Sequence, residues 1–386
     1  MTKVWGPGVR MAAGAALAAT VVALALPKVT GTSWRPIVDA LSRPTPTQLA
    51  VLAVLWLLGL WAHTPSLTAA LPGLSHRRAL LLNLTGSFVS NLLPLGGAAG
   101  TVVNWRMART WGFGSAAFGR WALVTNLADL VVKLLLPGAV LCWFAAAGSS
   151  ATHNLTGPGV VGVALLAVLV AAVVLVGRDD RAVRWAGGRL DRLAARLRPL
   201  PSAPEGWGER AARFRRESAD LVRAGWGRLL GAKVLYALLQ AVLLWACLSV
   251  VGAPAAPVVV ASAFVVERLL SMLVLTPGAT GIVEVGMAGA LTALGVPAAP
   301  AAAGVLLYRA FVIGMEVPVG GLGLLGWWLS RRRAGHLGAA ARVHPTVRPV
   351  GRWAHAGRLP TEGAARWSTR VSAAPASPSA GSRSGA

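Results

Sequence analysis

Ionisable side chains within long apolar stretches are the residues of this sequence whose types and positions could do chemistry. They are Asp129, Lys133, Glu267, Arg268, Glu284, Arg309 and Glu316. A charged group inside a membrane-spanning helix costs at least about 2.5 kcal/mol, so such residues usually have a partner or a function. Guanidinium groups bind oxyanions in a bidentate geometry, which makes the arginines candidates for contact with phosphate.

The spacing of these residues suggests partners for some of them. Asp129 and Lys133 stand four residues apart on one helical face, and mutual neutralisation is the favoured interpretation. Glu284 follows Gly281 by three residues, where an acid can cap the first turn of a helix. It could instead pair with Arg309 or contact a ligand, and the sequence leaves these alternatives open.

Two apolar segments, 79–103 and 257–295, are interrupted by residues that break helices. The residues at the two breaks that we single out are Asn91, Pro94, Gly97, Pro277, Gly278 and Gly281. Proline removes a hydrogen-bond donor and glycine weakens a helix, so an unbroken span is not expected. Irregular backbone at membrane depth occurs only where it is buried in protein or lines a wet cavity. We interpret both segments as re-entrant hairpins, and their corresponding places in the two halves indicate a transporter-like binding site.

Composition and hydropathy define the architecture around these breaks. The 386 residues are 55% hydrophobic and 13% charged, with a mean hydropathy of +0.62, whereas soluble domains carry about 25% charged residues. Segments long enough to span a bilayer are 11–27, 48–63, 120–147, 158–176, 229–251 and 301–329. We therefore predict an all-α, polytopic integral membrane bundle of about six spans plus two re-entrant hairpins, with an inverted repeat. Eight spans, with the second broken segment crossing twice, fit equally well.

The first span also has features of a cleavable signal peptide, with Ala23 and Ala25 in A-x-A spacing. Pro27 and Lys28 follow directly and further spans come after, so we favour an uncleaved helix.

Basic residues are concentrated in two regions. Lys and Arg number 37 against 13 Asp and Glu, a net charge of +24, and they cluster at 177–228 and 331–386. Basic loops face the cytoplasm, so we predict that both termini and the loop 177–228 are cytoplasmic. Residues 1–333 would form the membrane domain and 334–386 a disordered tail. Nucleic-acid binding is the competing explanation of the charge, but no soluble module carries it, and no nucleic acid is expected as a partner.

Signatures of metal, cofactor and enzyme chemistry are missing from the sequence. Cys142 and Cys247 lie within apolar stretches, outside any CxxC motif, and the histidines are scattered. There is no HExxH, no paired-aspartate motif and no Ser–Lys arrangement. We expect no metal, no cofactor and no enzymatic activity.

The second break resembles a known family. The residues Thr276–Glu284, TPGATGIVE, are similar to the PGG-x-G-x-x-E element in the transmembrane, flippase-like region of lysylphosphatidylglycerol synthases. Leu307-Tyr308-Arg309, and Asn91–Pro94 with Gly96-Gly97 in the first half, also match, and the resemblance covers about 80–330. Departures are Ala279 for the second glycine, Val283 where arginine is common, and Thr125-Asn126 where the family has Glu-Arg.

The resemblance implies a bacterial plasma-membrane lipid translocase, or a lipid-binding permease, without the soluble aminoacyltransferase domain of full-length members. A phospholipid or polyprenyl-phosphate headgroup would lie between the hairpins, contacted by Glu284, Arg309 and the glycine-rich backbone. The partners would be anionic, aminoacylated or polyprenyl-phosphate lipids. The alternative is a non-transporting scaffold that presents lipid to a separate soluble transferase. Glu284→Gln and Arg309→Ala would impair function with near-normal stability.

Overall fold

The computed structural model describes residues 7–93, 96–146, 164, 167–168, 207–272 and 276–342. These residues are almost entirely helical, and no strand occurs among them, which confirms the all-α class. Predictions about Pro94, most of the span 158–176, the loop up to residue 206 and the tail beyond 342 lie outside the described residues. The fold divides into residues 1–333 and 334–386, and the site lies in the first unit.

The helices follow the predicted pattern of spans and breaks. The first half contains α1 (Pro7–Thr30), α2 (Trp34–Leu41), α3 (Pro46–Ala70), α4 (His76–Leu92), α5 (Gly96–Thr110) and α6 (Ser115–Ala146). The second half contains α7 (Trp207–Val250), α8 (Pro257–Leu270), α9 (Ile282–Ala293), α10 (Ala298–Arg309) and α11 (Glu316–Arg342). A 3-10 turn at Pro277–Ala279 precedes α9, and a π-helical segment at Ala310–Met315 joins α10 to α11.

Four helical stretches in the described residues are long and apolar enough to cross a membrane. They are Pro46–Ala70, Ser115–Val140, Ala212–Val250 and Ala298–Arg333. The pair α1 and α2, bent by 100°, supplies a fifth candidate if the two form one broken span. Because about 20 helical residues cross a 30 Å hydrocarbon layer, these lengths confirm a multi-pass helical membrane protein.

Helix α7 begins earlier than the apolar pattern predicts. Its 44 residues run without interruption from the basic segment predicted as loop into the span predicted at 229–251. At 1.5 Å per residue it is about 66 Å long, roughly twice the hydrocarbon thickness. Arg120 of α6 forms an ion pair with Glu217 near its start, which fixes this extension to the bundle.

The first broken segment forms a tight antiparallel hairpin of α4 and α5. A Cβ atom at Gly96 would lie 2.6 Å from the carbonyl oxygen of Ser90, and one at Gly100 would lie 2.9 Å from that of Gly86. Thr85 Oγ1 donates to Asn104 Oδ1 at 3.2 Å across the same interface. Small residues therefore allow the two backbones to touch, as in other membrane helix pairs.

The second broken segment is also a hairpin, formed by α8 and α9. A Cβ atom at Gly286 would lie 2.2 Å from Leu270 Cδ1, so the two helices are in close contact. The breaks of the two hairpins meet, because a Cβ atom at Gly278 would lie only 3.0 Å from Asn91 Oδ1. The predicted pairing of the two interruptions is thus a spatial contact.

Packing separates a buried core from an apolar outer face. Phe264, Met287 and Tyr308 are at most 2% exposed and form the centre of the core around α9 and α10. Leu58 and Leu238 are each 54% exposed, on α3 and α7. An exposed apolar face of this kind marks a surface that contacts lipid or protein.

Candidate functional site

A polar cavity of about 510 Å³ lies between the first hairpin, α6, α7 and the second break. Its polar lining residues are His63, Asn83, Ser87, Ser90, Asn91, Thr101, Asn104, Thr125, Asn126, Asp129, Lys133, Lys233, Tyr236, Ser271 and Thr276. Its volume is that of an ordinary small-molecule site. A concentration of amide, hydroxyl and charged groups inside an apolar bundle indicates a place for a polar ligand group.

Three charged side chains define the electrostatics of this cavity. The carboxylate of Asp129 lies between two ammonium groups, with Oδ2 at 3.1 Å from Lys133 Nζ and Oδ1 at 3.4 Å from Lys233 Nζ. Two cations and one anion give a net charge of +1, so the triad favours an anionic ligand. The Asp129 side chain remains 41% exposed, and its carboxylate is therefore accessible from the cavity.

Lys233 is the member of the triad that the sequence did not single out. The pairing of Asp129 with Lys133, predicted from their spacing, is confirmed. Lys233 lies only five residues after Arg228, so in the sequence it reads as the last residue of the basic segment. The sequence signal for Lys233 was its position inside the predicted span 229–251, where a charged residue is costly. In the structure its side chain is 7% exposed and therefore buried.

The second break is held by Glu284 and Arg309. Arg309 Nε donates to Glu284 Oε1 at 2.7 Å, and Arg309 Nη2 donates to the carbonyl oxygen of Gly278 at 2.8 Å. The N–H of Gly281 donates to Glu284 Oε2 at 2.5 Å. These two side chains therefore satisfy backbone groups that the interrupted helix leaves without partners. The capping and pairing alternatives for Glu284 are both realised.

A second acid and arginine extend this network. Glu267 Oε1 lies 3.8 Å from Arg309 Nη1, and its other oxygen pairs with Arg268. The Arg268 guanidinium lies over the ring of Phe264, 4.5 Å from its centroid. Two acids and two arginines sum to zero charge, so the charge of Arg309 is already compensated within the protein.

The predicted site residues fall into two groups. Asn91, Gly97 and Gly278 line the polar cavity. Glu284 and Arg309 do not belong to its described lining, and with Gly281 they support the turn that carries Gly278. Pro94 and the side chain of Pro277 lie outside the described part of the chain. Direct contact of Glu284 or Arg309 with a ligand stays a prediction.

No group of three or more histidine, cysteine, aspartate or glutamate side chains in the described residues could hold a metal ion. Cys247, which is fully buried, is a free thiol. The described lining of the cavity contains ammonium, carboxylate, amide and hydroxyl groups.

The fold and the cavity together define a polytopic helical membrane protein with a polar, net cationic site beside two helical hairpins. A family model described as the lysylphosphatidylglycerol synthase TM region matches residues 11–320, and the chain belongs to this family. The match confirms the resemblance over residues 80–320 and extends it to residue 11, in α1. A search of curated proteins found no match.

Proposed function

We propose that this chain is a flippase-like lipid translocase, or a lipid-binding permease, whose polar cavity receives the lipid headgroup. Membership of the family places the protein in lipid-related membrane processes. The observation that carries the finer proposal is the triad of Asp129, Lys133 and Lys233, which lines a cavity of about 510 Å³ inside an apolar bundle. The bacterial plasma membrane and cytoplasmic termini belong to the same proposal.

The lining chemistry suits a phosphate. The ammonium groups of Lys133 and Lys233 would neutralise its charge, and the side-chain amides of Asn91 and Asn126 can donate hydrogen bonds to its oxygens. Asp129 would hold both lysines in position through its two ion pairs, and its carboxylate would accept a hydrogen bond from the ammonium of an aminoacyl group. Phospholipids, aminoacylated lipids and polyprenyl phosphates share this phosphate, so the triad accounts for the headgroup chemistry common to all three.

The network around Glu284 and Arg309 takes a supporting part in this proposal. It fixes the 3-10 turn Pro277–Ala279, whose residue Gly278 lines the cavity. Asn91 of the first hairpin lies against the same glycine, so both hairpins contribute to one wall. A rearrangement at this contact would change the shape of the cavity, which is the kind of movement that alternating access requires.

The proposal is tested by lipid translocation in liposomes that contain the purified chain. Headgroup-labelled anionic, aminoacylated and polyprenyl-phosphate lipids are followed by loss of signal to an impermeant quencher. Lys233→Met removes one charge-assisted contact, worth about 1.5–3 kcal/mol, so we expect transport to fall by roughly tenfold or more. Lys28→Met, which removes an exposed lysine of α1, is the matched control. Equal transport by Lys233→Met and wild type would overturn the proposal.

A non-transporting scaffold is the second candidate, and the internally compensated ion pairs favour it. Glu284, Arg309 and Glu267 lock the second break in one arrangement, which suits a site that holds lipid without moving it. This function requires a soluble transferase as partner, for which the basic start of α7 is the proposed contact. Lipid binding without translocation by folded protein, together with co-purification of a transferase, would establish it.

A further inference from the structure

A second cavity, separate from the polar one, opens on the surface between α5 and α11. It has a volume of about 850 Å³. Its charged lining residues are Arg106, Arg109 and Arg331, and its aromatic lining residues are Trp105, Trp327 and Trp328. Among the described residues that line it there is no acid, so the groove presents three positive charges without a negative one.

The tryptophan side chains that line the groove are held by a hydrogen bond and by cation–π contacts. Trp327 Nε1 donates to Thr110 Oγ1 at 3.4 Å, which connects α11 to the last turn of α5. The Arg331 guanidinium lies over the Trp327 ring, 5.5 Å from its centroid, and Arg332 lies 3.6 Å from the centroid of Trp328. Cation–π contacts of this kind orient the guanidinium groups on rigid aromatic faces.

The three arginines of the groove have no carboxylate partner within the described part of the chain, unlike Arg309. Arg106 and Arg109 are exposed on one side of α5, and Arg331 is exposed near the middle of α11. Val103, Leu324 and Leu325 form an apolar floor beneath them. A cationic rim above an apolar floor matches a molecule with an anionic head and a hydrocarbon tail.

We propose that this groove binds one anionic phospholipid, with its phosphate against Arg106, Arg109 and Arg331 and an acyl chain along Leu324 and Leu325. Inorganic phosphate would leave the apolar floor without a partner. A zwitterionic lipid would bring its own cation towards three arginines. Tryptophan is enriched at the headgroup level of membranes, which agrees with a lipid held by these indoles.

The groove is independent of the proposed function. Helix α5 separates the two cavities: Asn104 faces the polar cavity, whereas Arg106 and Arg109 face the groove. Lipid binding in the groove therefore does not depend on lipid transport through the polar cavity, and the two can be tested separately.

The test is a count of bound lipids by native mass spectrometry on the purified full chain. The probes are phosphatidylglycerol and phosphatidylcholine with identical acyl chains. The groove variant combines Arg106→Gln, Arg109→Gln and Arg331→Gln. The charge-matched control combines Arg77→Gln, Arg223→Gln and Arg333→Gln, which are exposed arginines outside the groove lining. We expect wild type and control to bind one phosphatidylglycerol at least about tenfold more tightly than phosphatidylcholine.

The groove variant should lose that preference. Arg106→Gln alone should lower the affinity for phosphatidylglycerol several-fold, and this single variant serves if the triple one does not fold. Soluble glycerophosphoglycerol should fail to displace the lipid, because it lacks the acyl chain that the apolar floor binds. Three outcomes would each overturn the proposal. They are a groove variant that still prefers phosphatidylglycerol, a control that loses this preference to the same extent, and displacement of the lipid by the soluble headgroup.

Discussion

Arg309 Nε donates to Glu284 Oε1 at 2.7 Å, and this ion pair connects α10 to the first turn of α9. The side chains are 7% and 3% exposed, so the pair is removed from solvent. The same guanidinium reaches the carbonyl oxygen of Gly278, and the same carboxylate accepts from the N–H of Gly281. The interrupted backbone is therefore stabilised from both sides by two side chains that lie 25 residues apart.

Loss of this ion pair should lower stability as well as function. Arg309→Ala leaves the buried carboxylate of Glu284 uncompensated, which costs about 3–5 kcal/mol. Glu284→Gln keeps an acceptor for the N–H of Gly281 and should cost less. Thermal unfolding in detergent measures both effects. The ion pair thus revises the sequence-based expectation that these two variants keep near-normal stability.

The matched control for this prediction is the surface pair of Asp220 and Arg223, whose side chains are 74% and 78% exposed. Asp220→Asn should leave the unfolding midpoint almost unchanged, because an exposed ion pair contributes about 0–1 kcal/mol. A midpoint for Arg309→Ala as high as that of Asp220→Asn would show that the buried pair does not stabilise the fold.

The turn at the second break should discriminate between glycine and alanine. Gly278 has φ of 61°, and a Cβ atom there would lie 3.0 Å from Asn91 Oδ1 and 3.1 Å from Ile313 Cδ1. Gly278→Ala should therefore destabilise by about 1–2 kcal/mol from backbone strain alone, plus the cost of the contacts. Ala279 has φ of 51°, so Ala279→Gly should be tolerated, whereas Ala279→Val should not. Thermal unfolding midpoints of the three variants test this prediction. An unfolding midpoint of Gly278→Ala equal to that of wild type would contradict it.

A close contact between α11 and α4 should make Gly320 intolerant of any side chain. A Cβ atom at Gly320 would lie 2.2 Å from the carbonyl oxygen of Leu84, so Gly320→Ala must separate the two helices. We expect a loss of at least about 1–3 kcal/mol. Gly326 on the same helix has no neighbour within 4 Å, and Gly326→Ala should raise stability by up to about 1 kcal/mol. Unfolding midpoints in detergent compare the two, and similar values would contradict this packing.

Two sets of loops should label from opposite sides of the membrane. Arg43 Nη1, before α3, donates to the carbonyl oxygen of Val251 at 3.1 Å, and Gly73, after α3, lies close to Phe113. Because the 25 residues of α3 extend about 37 Å, these two loop regions lie at opposite ends of the bundle.

Single cysteines introduced near residues 77 and 108 should therefore react from the cytoplasmic side. Cysteines near residues 254 and 298 should react from outside, in a background where Cys142 and Cys247 are replaced. The charge distribution sets the direction, since Arg77 and Arg78 belong to the more basic end. External labelling near residue 108 would contradict both the hairpin and its orientation.

Much of the helical architecture can be predicted from the sequence because it depends on residues that are close together in the chain. Apolar length marks the spans, and proline with glycine marks the breaks, as at Gly278 and Gly281. The pairing of Asp129 with Lys133 follows from helical periodicity alone.

Other parts could not be predicted because they depend on contacts between distant segments. Lys233 meets Asp129 across 104 residues, and no spacing rule reports such a contact. The pairing of Glu284 with Arg309, in addition to its capping contact, depends on where α10 packs against α9. The start of α7 was not predicted because arginines dominate residues 207–228. The packing of Leu221 and Val222 against the core depends on where α7 lies in the bundle.

The partners of the buried charges also have consequences for how the chain is synthesised. Ribosomes add about 5–20 residues per second, so Lys133 follows Asp129 within roughly a second. These two residues can therefore enter the membrane as a neutral pair. Lys233 arrives roughly 5–20 seconds later. Glu284 has no such local partner and waits roughly 1–5 seconds for Arg309, which is 25 residues away. Insertion of α9 should therefore be delayed until α10 emerges, so that the two helices leave the translocon together.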